Sequence, residues 1–152
     1  MRIFLLLFAV LISACSAKYQ PLRVQPNRLL TSSAALNDPA TAPDTTIKRI
    51  RAAGWLSRKI VIKKQDGSVV RIPKNTVWGY SDKNGKVWRR YRATFYQVIR
   101  IADVVEYQDV VAQTYAVNGQ PYTVQQTVTR YSRTLDSPIY GTKRRALRDE
   151  SK

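Results

Sequence analysis

Residues 59–72 read KIVIKKQDGSVVRI, two short β-branched runs on either side of Asp66-Gly67. Val and Ile suit a pleated, half-buried surface, and an Asp-Gly pair supplies the positive φ of a tight hairpin turn, so Lys59 to Lys64 and Ser68 to Ile72 are expected to pair antiparallel. The same chemistry recurs downstream. Thr76 to Ser81 and Lys86 to Arg92 flank Asp82-Lys83-Asn84-Gly85; Thr94 to Ile101 and Val104 to Gln108 meet across Ala102-Asp103; Val110 to Val117 and Tyr122 to Ser132 flank Asn118-Gly119. Seven or eight strands in this order predict an all-β antiparallel meander that closes into a small barrel or a sandwich to bury one face. No helical period of useful length interrupts it. Residues 47–56 (IKRIRAAGWL) fit either one helical stripe ended by Gly54 or a strand. Thr142 to Glu150 (TKRRALRDE) has the makings of a short terminal helix.

Upstream of residue 47 the composition changes. Met1-Arg2, the apolar run Ile3 to Ile12 and the small Ser13-Ala14 have the form of a secretory signal, and about ten apolar residues are roughly half of the ~20 that a membrane-spanning helix needs. Residues 1–14 are therefore read as a signal peptide. Residues 15–46, holding Pro21, Pro26, Pro39 and Pro43, are read as a Pro/Ser/Thr-rich flexible tether, 47–147 as the all-β domain and 148–152 as a charged tail.

The chain has 152 residues, 26 Lys and Arg against 10 Asp and Glu, no His and one Cys. The absence of His excludes Ser-His and Cys-His catalysis and most metal sites, and no metal or cofactor is expected. Most carboxylates have a turn, tether or tail role. Asp103, Glu106 and Asp109 remain, but on a strand Glu106 faces away from the two aspartates, which argues against a paired acid and base. Asp136, in Leu135-Asp136-Ser137-Pro138, reads as a turn aspartate. The reading is a binding or scaffolding protein and not an enzyme; a small hydrolase is the distant alternative.

Two groups of residues could bind. Lys86, Arg89, Arg90 and Arg92 are interleaved with Trp88, and strict alternation places Lys86, Trp88, Arg90 and Arg92 on one face as a cationic ribbon suited to anions. Arg58-Lys59, Lys63-Lys64, Arg71 and Lys143-Arg144-Arg145 add charge if the fold gathers them. Trp78 and Tyr80, two apart around Gly79, are expected on one face, either as a core centre or as an aromatic platform for a carbohydrate or cell-wall ligand.

Leu11-Ile12-Ser13-Ala14-Cys15 resembles the lipobox of bacterial lipoproteins. The resemblance implies cleavage before Cys15, lipidation of its thiol and membrane attachment through acyl chains; Ser16, in place of a retention aspartate, implies the outer membrane, facing the periplasm. That address argues against nucleic acid and for an anionic envelope lipid, a glycan or an acidic protein as partner. The segments IVIKKQDGSVVRIPK, VWGYSDKNGKVWRRY, VVEYQ and YSRTLDSPIY are similar to a family of small β-rich envelope proteins of Bacteroidota, through Trp78-Gly79-Tyr80, Trp88-Arg89, Ser132, Leu135-Asp136 and Ile139-Tyr140. This similarity implies the β fold and a bacterial source, and brings no activity or ligand with it.

Overall fold

A computed structural model describes residues 22–38, 44–52 and 57–148. Among the described residues, nine strands form two antiparallel sheets: β1 (Leu29–Leu30), β2 (Ile47–Ala52), β3 (Lys59–Lys64), β4 (Val69–Pro73), β5 (Gly79–Ser81), β6 (Val87–Tyr91), β7 (Thr94–Ile101), β8 (Val105–Val117) and β9 (Gln120–Ser132). One short helix, α1 (Lys143–Arg148), follows and docks through the buried Ala146. The order is β2-β3-β4 in the small sheet and β1-β5-β6-β7-β8-β9 in the large one. The meander is thus real but split in two, and the result is a sandwich-like packing of sheets, not a closed barrel. Residues 47–52 resolve as strand, because Ile47 and Ile50 must reach the core across a register shift next to Lys48.

Alternation sorts the large sheet's side chains onto two buried faces. One carries Leu30, Val87, Val98, Val105 and Tyr107, covered by Ala35 and Leu36 of a 3-10 turn and by Leu135 and Ile139. The other carries Tyr80 and Phe95, against which Ile47, Ile50, Ile60 and Ile62 of the small sheet pack together with Val77. The six-stranded sheet is therefore the middle layer. Gly79 is required where β5 meets β6, since a Cβ there would lie 2.3 Å from the Trp88 carbonyl oxygen.

Two expectations are corrected. The proposed tether, 15–46, is in part structural: Leu22 N–H donates to Ile99 O (3.1 Å), β1 pairs with β5, and Leu30, Ala35 and Leu36 are buried. Apolar side chains spaced without a period look like linker in sequence, yet they cap a face that the strands alone leave open. The signal region, Cys15 and residues 149–152 lie outside the described residues. The expected break at Asp109 is also absent. Asp109 stays in the ladder opposite Val128 and faces Arg130 (3.8 Å), so β8 runs unbroken for 13 residues.

Candidate functional site: a cationic pocket

The chain leaves β4 at Pro73 and makes a 3-10 turn at Lys74–Thr76, held by Thr76 Oγ1 donating to Pro73 O (2.7 Å) and Lys74 N–H to Arg58 O (2.8 Å). This turn draws Lys74 inward until it is only 7% exposed, its ammonium 5.8 Å from the centroid of the Phe95 ring. Burial lowers the Lys74 pKa from its usual value, because a low-dielectric setting disfavours the charged amine. Across from it, Arg90 on β6 donates from Nε to Val77 O (3.0 Å) and from Nη1 to Arg92 O (3.3 Å). Arg92 occupies the tight turn into β7 with a left-handed φ of 55°. Arg58, Lys74, Arg90 and Arg92 thus line one cavity of about 640 Å³, with Ser57 and Asn75 adding polar groups and no carboxylate among the lining residues.

The adjoining outer face of the small sheet carries the same sign. Register places Arg49 opposite Lys63, and Arg51 and Arg71 on either side of Val61, with Lys59 at the end next to Arg58. All five of these basic residues are exposed, and neither of the two ion pairs among the described residues involves them. Like charges directly opposite on neighbouring strands destabilise a sheet. Concentrated on one surface, they raise a positive potential that attracts and orients anions.

Of the residues expected to bind anions, the structure brings Arg90 and Arg92 to this pocket and sends the rest elsewhere. Arg89 is 3% exposed, donating to Tyr107 Oη (2.6 Å), Ser132 Oγ (3.3 Å) and Ser137 O (2.7 Å). Trp88 packs against the second core cluster and its Nε1 points to Asp82 Oδ2 (3.4 Å). Lys86 is half-buried in a bridge with Arg23. The expected ribbon fails for two reasons: β6 ends at Tyr91, which takes Arg92 out of the alternation, and the small sheet covers the face to which Trp88 belongs.

The aromatic platform is corrected as well. Tyr80 is 5% exposed, stacked on Trp88 (6.2 Å, 10°) and edge-on to Phe95 (5.1 Å, 71°). Its hydroxyl accepts a hydrogen bond from Ala52 N–H (3.3 Å), and burial pushes its pKa up to about 12. Trp78 precedes β5, packs on the opposite cluster and donates from Nε1 to Asp136 Oδ1 (2.8 Å). The two rings therefore share no surface. Asp136 also accepts from the Ser33 hydroxyl (2.5 Å), which gives it a role in tying three distant segments together that a turn reading does not contain. Glu106 pairs with Arg100 and Asp109 faces Arg130.

The sequence expectation did not include Lys74 as a site residue, nor Arg49 and Arg51. A lysine after an Ile-Pro dipeptide carries no periodic signal that would mark it. Comparison of the chain with known protein families, curated proteins and solved structures returns no match.

Proposed function

We propose that this protein is a lipid-anchored component of the bacterial envelope that binds phosphate-bearing anionic lipid headgroups, using the pocket of Arg58, Lys74, Arg90 and Arg92 and the basic sheet face beside it. The observation that carries the reading is the grouping of four basic side chains around one cavity whose lining residues include no Asp or Glu. Guanidinium groups recognise phosphate through paired N–H donors, and a buried ammonium at the cavity wall adds a point charge where water screens it less. Attachment at Cys15, on this reading, holds the domain at the outer membrane, on its periplasmic side, where such headgroups are abundant. It works by binding, without catalysis.

The test is co-sedimentation of the domain with vesicles. Binding to anionic vesicles is expected to exceed binding to neutral ones and to weaken steeply with salt, since exposed charges are screened over ~8 Å at physiological ionic strength. Replacing Arg58→Glu and Arg92→Glu together is expected to reduce affinity about tenfold or more, which corresponds to ~1.4 kcal/mol. Arg90 is left intact because its Nε holds the Val77 carbonyl. The double variant should keep its unfolding midpoint nearly unchanged. Undiminished binding by a folded double variant would remove the pocket from the proposal.

A further inference from the structure

Beyond the body of the protein, β8 and β9 continue as a two-stranded arm. Pairing of β7 with β8 ends at Gln97 opposite Gln108, whereas β8 and β9 stay paired out to Val117 opposite Gln120. From Asp109 to Val117 the arm extends about 26 Å. Residues 110–129 contain no charged side chain, twenty in a row in a chain of net charge +16. Tyr115 and Tyr122, paired across the strands, are 50% and 61% exposed, and Val117 and Val124 are exposed beside them. A two-stranded ribbon alone is marginally stable in water, and an uncharged edge strand invites pairing.

The two edges of the arm are not equivalent. Pro121 lies inside β9 opposite Ala116. Since proline has no N–H to give to a ladder, its nitrogen side must face outward, which makes Ala116 and Pro121 a non-hydrogen-bonded pair. Alternation extends this assignment to Thr114 with Thr123, whose hydroxyls meet at 3.0 Å, as the closer approach of such pairs allows. Pro121 therefore interrupts the outer edge of β9. On β8 the outward N–H and C=O groups belong to Ala112, Thr114 and Ala116, with no Pro or Lys to guard them.

We infer that the β8 edge is a self-association site, pairing antiparallel with β8 of a second copy about a two-fold axis at Thr114. In that register Thr114 meets Thr114, Ala112 meets Ala116, Gln113 meets Tyr115 and Val111 meets Val117. Thr, Ala and Val each meet their own kind, and Gln113 meets Tyr115 as a second side chain with a hydrogen-bonding tip. The match of Gln113 to Tyr115 is already made within one chain, where the Tyr115 hydroxyl donates to the Gln113 carboxamide oxygen. Three outward residues on each copy give about six backbone hydrogen bonds and convert two ribbons into one four-stranded sheet. An identical arm also satisfies the charge requirement, because it contributes no charge, and the arm's length holds the two basic bodies more than a Debye length apart. The inference is independent of anion binding, although a dimer would present two cationic pockets to one surface and so gain avidity.

The test uses the full mature chain with Cys15→Ala, so that acyl chains do not drive association, in analytical ultracentrifugation across a concentration series. The parent is expected to show a reversible dimer. Thr114→Pro removes the outward N–H at the axis, and Thr114→Lys places two ammonium groups opposite each other while leaving the ladder with β9 intact. Each should weaken dimerisation tenfold or more, and the lysine variant serves if the proline variant does not fold. Thr123→Lys adds the same charge on the Pro-guarded strand and should leave the dimer in place. A monomeric parent, equal losses at positions 114 and 123, or a dimer indifferent to both changes at Thr114 would overturn the inference.

Discussion

Replacing Tyr107 by Phe removes one oxygen atom from a fully buried ring and leaves the packing of that ring as it was. The hydroxyl accepts from Arg89 Nη1 at 2.6 Å and lies 2.8 Å from Ser132 Oγ, so its removal strips the buried guanidinium of its shortest side-chain contact. A hydrogen bond to a charged group contributes about 1.5–3 kcal/mol, and Ser132 at 3.3 Å replaces only part of it. The expected loss is about 2 to 3 kcal/mol. For a domain of this size that corresponds to a fall in Tm of roughly 8–12 °C. Arg89→Met is expected to cost less, about 1 kcal/mol, because it removes the charge itself, keeps the Tyr107 to Ser132 hydrogen bond and strips only the Ser137 carbonyl of a donor. The two changes should therefore be non-additive, with the double variant close to Arg89→Met. Urea unfolding followed by tryptophan fluorescence measures all three. Tyr107→Phe within about 0.5 kcal/mol of the parent, or Arg89→Met costing more than Tyr107→Phe, would refute the account of Arg89 as a buried cation held by hydroxyl and carbonyl oxygens.

Three further outcomes are expected. Gly79→Ala should destabilise by about 4 kcal/mol or more, since its Cβ would meet the Trp88 carbonyl oxygen at 2.3 Å, while Gly119→Ala, with φ at +77° but open space around it, should cost only about 1 kcal/mol; calorimetry on both decides whether close packing or backbone conformation dominates. A tyrosine whose pKa is raised on folding is equally protonated in both states below the unfolded value, so the stability linked to Tyr80 should be fully present below pH ~10 and be lost towards pH ~12, a loss of about 2 to 3 kcal/mol that Tyr80→Phe removes from the pH profile. Cys15→Ala should move the protein from the membrane fraction to the soluble fraction, and intact mass of the native protein should carry acyl chains on Cys15; a free thiol there would reject the anchor.

Local chemistry made much of this fold readable. The strand from Thr94 to Ile101 matches β7 residue for residue, and the turns at Asp66-Gly67 and Asn118-Gly119 form where expected, with positive φ at Gly67, Asn118 and Gly119. These features depend on neighbours in sequence. What was not readable depends on neighbours in space. Period-two alternation assigns Trp88 and Arg89 to opposite faces correctly, but it cannot tell that both faces are covered, because one cover is a separate sheet and the other is a segment with the composition of a linker. Likewise, Arg58 and Lys74 reach Arg90 only through the packing of β4 and its turn against β6. Charge counting located a cationic protein; the side chains that share a pocket are set by tertiary structure.

The basic residues divide by what their hydrogen bonds satisfy. Arg28 is buried, its Nη2 donating to Ala35 O (2.8 Å) and Asp38 O (3.3 Å), and Arg89 similarly reaches the Ser137 carbonyl. Such arginines satisfy carbonyls in irregular segments that no strand can pair, and with guanidinium donors committed there and neither of them lining the cavity they are poor ligands for anything outside. The acidic residues are engaged as well: Asp82 accepts from Asn84 and Lys86 N–H groups, Asp66 from Ser68 N–H, and Asp136 from Trp78 and Ser33. With those carboxylates committed to turns and ties, few remain to neutralise the small sheet. The excess positive charge consequently falls where strands carry alternating Ile inward and Arg or Lys outward, at Arg49, Arg51, Lys63 and Arg71. The uncharged arm and this basic face thus represent two separate demands on the surface, which the proposals above would meet with backbone groups of another strand and with an anion.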